Sequence, residues 1–360
     1  MWDFVVVGAG PAGSRFARQA AERGRDVLVL EQGRIGEPLA CSGHVSTDLW
    51  SFTPAGARAE LLQNEVFGAR FHLGDANSSA YPFYKDEPVS NVIDRVGLDR
   101  RLAGAARAAG AEVREEHTVL GVEENRDGVT VTARGPDDVN TLNARIVIGA
   151  DGPNSRVRSS LGLPAPDELL HGVLGFVSDP DHADFVDVHL SVPGFFAWRI
   201  PRGDAGVEYG LAMPPGHDVR ARFESFTSAY GVSPTNRCSG LIPIGPPSRV
   251  TGRRSLLVGD AAGQTKPFTG GGIRYGMLAA DHAARTVDPA RPGTLGDYER
   301  AWRSDLRREI RLGGLVRKAY DLPKPVQRVG LRMLSGKIGV HMDRPTTLFS
   351  WEQVRALLSD

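Results

Sequence analysis

Two cysteines, Cys41 and Cys238, are all that 360 residues contain. No disulfide framework is therefore expected, and a reducing cytoplasm is the expected compartment. Net charge is also missing: 43 Lys and Arg balance 43 Asp and Glu, which leaves no overall field to draw in nucleic acid. No run of 18 apolar residues occurs, so no bilayer-spanning helix is expected. The opening stretch MWDFVVVGAG lacks the basic start and small-residue cleavage site of a signal peptide, and none is expected. None of the nine histidines stands in a metal-ligand spacing, so no metal is expected. Repeats and low-complexity tracts are missing too. What remains is ordinary soluble composition, 41% hydrophobic and 24% charged, enough for one large or two intertwined domains.

The most legible stretch is the first thirty residues. FVVV (4–7) reads as a strand buried on both faces, GAGPAG as a tight turn, and SRFARQAAERG as a helix stopped at Gly24. DVLVLEQG (26–33) is a second buried strand. Gly8, Gly10 and Gly13 form G-x-G-x-x-G in the strand–turn–helix context that confirms it, and Glu31 lies 18 residues past the last glycine. Gly8 permits the turn, Gly10 admits a pyrophosphate and Gly13 lets helix and strand pack. The helix N-terminus then offers free N–H donors to the phosphates, and Glu31 can accept from ribose hydroxyls. This is a dinucleotide site.

Further along, 99–113 reads as a helix, 121–135 as a hairpin around Arg126-Asp127-Gly128, and 144–152 as a buried strand ending in an Asp-Gly turn. Between 172 and 213 the texture changes to successive strands, expected to pair antiparallel. Residues 253–284 return to strand, Gly-rich loop and helix. There Asp260 can hold a ribityl chain, and the N–H groups of Gly271, Gly272 and Ile273 can face the pyrimidine edge of a flavin, whose reduced form is anionic. The expected architecture is α/β: a Rossmann-like FAD-binding domain with a mostly parallel sheet (1–65, 90–165 and 245–295). An antiparallel-sheet substrate domain (66–89 and 166–244) interrupts it, and a helical C-terminal region (296–360) closes it.

Taken together, GAGPAG…E, DRVGLD, GADGPNS and VGDAAG…P-x-TGGGI resemble the FAD-dependent oxidoreductases of p-hydroxybenzoate hydroxylase architecture. Within them, IGEPLACSGHVS, AWRIP and the unbroken TGGGI look most like the geranylgeranyl reductases, among them the archaeal digeranylgeranylglycerophospholipid reductases. The resemblance runs from residue 2 to about residue 298. It implies an FAD-dependent enzyme saturating the double bonds of geranylgeranyl groups on membrane lipid precursors. Carried over by position, it implies FAD contacts at Gly8, Gly10, Ala12, Gly13, Glu31, Gln32, Cys41, Ser42, Arg95, Val119, Asp151, Asp260, Gly271, Gly272 and Ile273. Phe196, Trp198 and Pro201 would line the substrate tunnel. Two departures stand out: Cys-Ser-Gly-His replaces a more glycine-rich cysteine segment, and Phe196 stands where tyrosine is usual, which removes a phenolic proton donor.

An isolated alkene has no carbonyl to polarise it. Its reduction therefore needs a hydride on one face, an acid on the other and walls that exclude water. A cysteine thiol, mostly protonated at neutral pH, is a suitable acid; Cys41 is the candidate, with His44 to supply or tune the proton. Free cysteine also packs as a small hydrophobe, the reading given to Cys238. One dinucleotide fingerprint is present, so the electron donor stays open between NAD(P)H and a ferredoxin. Two other functions fit the scaffold: an FAD-dependent monooxygenase and a flavin-binding electron carrier. Finally, residues 306–337 hold nine Lys or Arg against two acids, interleaved with apolar residues. Such helices either pack their apolar side on the flavin domain with the charges solvated, or rest on anionic lipid, which would place the protein peripherally on the inner face of the cell membrane; both can hold at once.

Overall fold

The computed structural model describes residues 1–37 and 41–335. The last part of the expected helical region, 336–360, lies outside the described residues. The chain opens with β1 (Trp2–Val7), α1 (Pro11–Ala21) and β2 (Val27–Leu30). β3 (His44–Ser46), α2 (Ala57–Leu61), β4 (Leu62–Val66), β5 (Gly68–His72), β6 (Ala80–Tyr84) and β7 (Ser90–Ile93) follow. Then come α3 (Arg95–Ala108), β8 (Glu112–Arg114), β9 (Thr118–Glu124), β10 (Val129–Arg134), β11 (Val139–Gly149) and α4 (Arg156–Ser160). The middle holds β12 (Glu168–Val177), β13 (Phe185–His189), β14 (Ala197–Pro201), β15 (Val207–Met213), α5 (Val219–Ala229) and β16 (Thr235–Ile244). β17 (Ser255–Leu257), α6 (Ile273–Thr286), α7 (Leu295–Lys318) and α8 (Lys324–Leu334) complete it.

The first sheet runs β8-β2-β1-β11-β10-β9, with β17 also on β11. The pairs β1/β2, β1/β11, β2/β8 and β11/β17 are parallel, and the β9–β10–β11 meander is antiparallel. Continuous apolar runs make the central strands: Phe4, Val5, Val6, Ile146, Val147 and Ile148 are all buried. The hairpin forms at Arg126-Asp127-Gly128 because the Asn125 side chain accepts from the Asp127 and Gly128 N–H groups. α3 begins four residues earlier than the sequence reading placed it. Asp94 caps it by accepting from Gly97 N–H at 3.0 Å, which satisfies a donor otherwise left open.

α7 explains its own length. Leu295, Tyr298, Trp302, Leu306 and Ile310 recur at helical spacing and are buried against the first sheet's core. Tyr298 also donates to the Leu257 carbonyl at 2.7 Å. Past Gly313 that stripe ends, and Leu315 is exposed.

The second large sheet runs β16-β12-β15-β14-β13-β5-β6. Its pairs are antiparallel except β13 with β5, which run parallel. Those two strands are far apart in sequence, so no tight turn dictates their direction. α5 covers one face with Phe223 and Phe226. On the other face lie Leu170, Leu190, Phe195 and Phe196, with Tyr320 and Leu331 of the C-terminal helices packed over them. α8 is anchored there: the Gln327 side chain donates to the carbonyls of Ala319 and Tyr320, and Ser335 donates to that of Pro82. Trp198 of β14 pairs with Gly210 of β15. A Cβ on Gly210 would stand 2.4 Å from the indole, so the ring lies against bare backbone.

Candidate active site

The turn after β1 is tight enough that backbone fills the places side chains would take. Gly8 has φ +100°, and a Cβ there would meet the Ala150 oxygen at 2.4 Å; one on Gly13 would meet the Gly8 oxygen at 2.1 Å. Above Gly10, by contrast, nothing stands within 4 Å of a Cβ position. The turn is closed beneath and open above, where α1 presents its N-terminal N–H groups. Glu31, at the end of β2, accepts from Ala9 N–H at 2.7 Å. Its burial raises its pKa against that bond and its neighbours.

From this open side a cavity of about 730 Å³ runs through the molecule. Gly10, Ala12, Cys41, Ser42, His44, Arg95, Asp260, Gly271, Gly272 and Ile273 line one end. Phe71, Leu174, Val188, Phe196, Trp198 and Ile242 line the middle, and Val326, Leu331 and Leu334 of α8 close the far end. This volume suits a large ligand set, and the lining shifts from polar to hydrocarbon along its length.

At the polar end the charges are arranged around Arg95. Its Nη1 lies 2.6 Å from Asp99 Oδ1, and both residues are buried. Burial opposes the guanidinium charge, but Asp99 and the adjacent Cys41 thiol outweigh it and hold its pKa above the ordinary value. Arg95, expected as a flavin contact, lines the same end of the cavity as Cys41. Burial pushes the Asp260 carboxyl up to about 6, against the pull of Arg95. His44 Nε2 lies 2.7 Å from Ser90 Oγ, and its backbone N–H donates to Ser42 Oγ at 3.2 Å.

The other expected residues fall differently. Asp151 stands at the start of α4, where Oδ2 accepts from the N–H groups of Arg156 and Val157; the cavity is lined instead by its neighbours Ala150 and Gly152. Gln32 is exposed beyond β2. Val119 is buried in the core of the first sheet, and Pro201 is buried at the end of β14; neither lines the cavity. Cys238, read as packing, lines the cavity from β16 opposite Leu174. Residues that the sequence reading missed include Lys266, buried and lining the cavity, and Arg158, which donates to the Ala261 carbonyl at 3.0 Å and so steadies the Asp260 loop. A basic residue in a Gly-rich loop leaves no local signal of such a role.

The closed turn, the open anion-facing helix end, the acid at the second strand and the Asp260 loop fit a flavin dinucleotide. Fold and site together define an FAD-binding oxidoreductase. The FAD binding domain family model matches residues 1–223. Digeranylgeranylglycerophospholipid reductase from Methanothrix thermoacetophila is 31% identical over 331 residues, 86% of this chain and 84% of that protein. A second reductase of that name, from Methanothermobacter thermautotrophicus, is 30% identical over 93% of this chain and 92% of its own. Among solved structures, a geranylgeranyl bacteriochlorophyll reductase-like protein from Thermoplasma acidophilum superposes with TM-score 0.87 at 23% identity, covering 100% of this chain and 96% of that one. The anhydrotetracycline hydroxylase OxyS from Streptomyces rimosus shares the fold at TM-score 0.69 and 22% identity, over 99% of this chain and 75% of its own. The chain belongs to the FAD-binding-domain family and, within it, to the digeranylgeranylglycerophospholipid reductases.

Proposed function

We propose that this protein saturates carbon–carbon double bonds of geranylgeranyl groups carried on archaeal-type membrane lipid precursors. The observation that carries the reading is one continuous cavity with Cys41, His44 and Arg95 at its polar end and hydrocarbon walls beyond. Gly8, Gly10, Gly13 and Glu31 would hold the adenosine half of FAD, and Asp260 with the N–H groups of Gly271, Gly272 and Ile273 the flavin half. Bound there in its reduced form, FAD would supply the hydride and be left oxidised. Cys41 Sγ supplies the proton to the other alkene carbon, and the Arg95 guanidinium beside it stabilises the thiolate left behind. Phe196 and Trp198 orient the chain and keep water out, which a tertiary centre of developing positive charge requires.

A geranylgeranyl lipid incubated anaerobically with dithionite-reduced protein should gain two mass units per bond reduced. An unchanged lipid under those conditions sinks the reading, and turnover that requires oxygen would favour the monooxygenase.

The same reading extends to a membrane surface. Among the described residues no helix is long and apolar enough to cross a membrane. Yet Leu315, Val326, Val329 and Met333 are between 52% and 64% exposed, beside Lys318, Lys324, Arg328 and Arg332. Val326 also lines the cavity, so the exposed apolar face continues into the proposed lipid site. An apolar face ringed by cations suits anionic lipid. The full chain should float with phosphatidylglycerol vesicles and not with phosphatidylcholine ones, and should lose that binding as Val326→Glu/Val329→Glu. Failure to float with the anionic vesicles removes the membrane from the proposal.

A further inference from the structure

Arg202 and Glu208 lie in the turn and strand after the Trp198 segment. The structure buries both: Arg202 is 6% exposed and Glu208 is 0% exposed. They form an ion pair, Nη1 to Oε2 at 3.0 Å. Burial raises the Glu208 pKa, and Arg202 and the Trp198 N–H oppose that rise.

The partners of this pair come from both walls of the cavity. Arg202 Nη1 donates to the Ser42 carbonyl at 2.5 Å, next to Cys41. Its Nη2 donates to the Ile93 carbonyl at 2.9 Å, two residues before Arg95, and to Gln63 Oε1 at 2.7 Å. Ile93 N–H in turn donates to the Gly43 carbonyl at 3.0 Å, which closes the loop that carries Cys41. On the opposite side, Glu208 Oε1 accepts from Trp198 Nε1–H at 2.8 Å. The chain of contacts therefore runs from the thiol-bearing loop, through the guanidinium and the carboxylate, to the aromatic wall. A buried ion pair is weak evidence for stability, since well-packed apolar residues often replace one at no cost. Its fork geometry is a stronger clue, because a planar guanidinium fixes several acceptors at once.

We propose that Arg202 and Glu208 are positioning residues that set where the Cys41 thiol stands relative to Trp198, and so relative to the substrate double bond. The link to the double bond rests on the proposed reductase function; the link between loop and indole does not. The test is Arg202→Met/Glu208→Met, which removes the charges as a pair, with Gln63→Ala as a milder second variant. Iodoacetamide alkylation of Cys41 is followed by peptide mass spectrometry, with Cys238 in the same molecule as reference.

In the folded, FAD-loaded double variant, Cys41 alkylation relative to Cys238 should change at least about fivefold, and kcat for lipid reduction should fall about tenfold or more. Gln63→Ala should move both in the same direction by less. An unchanged Cys41 rate in the folded double variant overturns the proposal. If that variant does not fold, an unchanged Cys41 rate in Gln63→Ala overturns it. Absence of lipid reduction by the wild-type protein would fail the reductase reading alone and leave the alkylation result standing.

Discussion

A Cys41→Ser protein is expected to hold FAD as the wild type does and to reduce its alkene about a hundredfold or more slowly, the usual scale for loss of a general acid. Serine matches cysteine in shape, and the loop that carries it is fixed by main-chain contacts through Ser42 and Gly43. Geometry is therefore preserved while acidity is lost. A hydroxyl releases its proton far less readily than a thiol, and the oxyanion it would leave beside Arg95 is correspondingly harder to form. Flavin absorbance checks the binding, and product mass after anaerobic incubation with dithionite checks the reaction. Full activity would return Cys41 to a packing role and move proton delivery towards His44, which lines the same end of the cavity.

Gly13→Ala is expected to cost the protein its cofactor. The new methyl would lie 2.1 Å from the Gly8 oxygen and 3.0 Å from the Ala150 side chain. Neither the turn backbone nor the buried strand behind it can yield cheaply. Forcing one carbon into a packed core costs about 1–3 kcal/mol, occasionally more. Here the displaced atoms belong to the turn that would face the pyrophosphate of FAD. Since each 1.4 kcal/mol is tenfold in affinity, flavin occupancy should drop about tenfold or more at limiting FAD, with a lower melting temperature. A variant that purifies yellow, with a wild-type melting curve, would show that the turn opens more easily than its contacts imply. Gly10→Ala is the control for stability alone: its Cβ meets no protein atom within 4 Å, so the cofactor-free protein should keep its wild-type melting temperature while the space left for the pyrophosphate narrows.

The flavin half was legible in the sequence because its constraints are local. A turn that needs Gly8 and Gly13, an acid after the second strand and a Gly-rich helix start each write themselves within a few residues. The sheet that carries Trp198 was legible as strands but not as an arrangement. The parallel pairing of β5 with β13 joins segments far apart in the chain, and no turn between them signals it. For the same reason nothing in the sequence singles out Arg202 and Glu208: the acceptors of Arg202 at Ser42, Gln63 and Ile93 are distant in sequence. Asp151 shows how one local pattern can serve two ends. An Asp-Gly turn after a buried strand fits a flavin contact and a helix cap equally well, and here its Oδ2 caps α4. The basic, amphipathic stretch 306–337 begins inside α7, whose apolar side packs into the core up to Ile310, where Trp302 and Tyr298 are wholly enclosed, and is exposed at Leu315.

The close approach of Trp198 to Gly210 has a consequence for the bore of the cavity. The indole is pinned at its nitrogen by Glu208 and lies on a strand with no side chain beneath it. Its depth, and with it the clearance left for a branched hydrocarbon chain, is set by the absence of a single methyl group. A gauge of that kind can be reset by one carbon on β15, without any change to the residues that would touch the substrate.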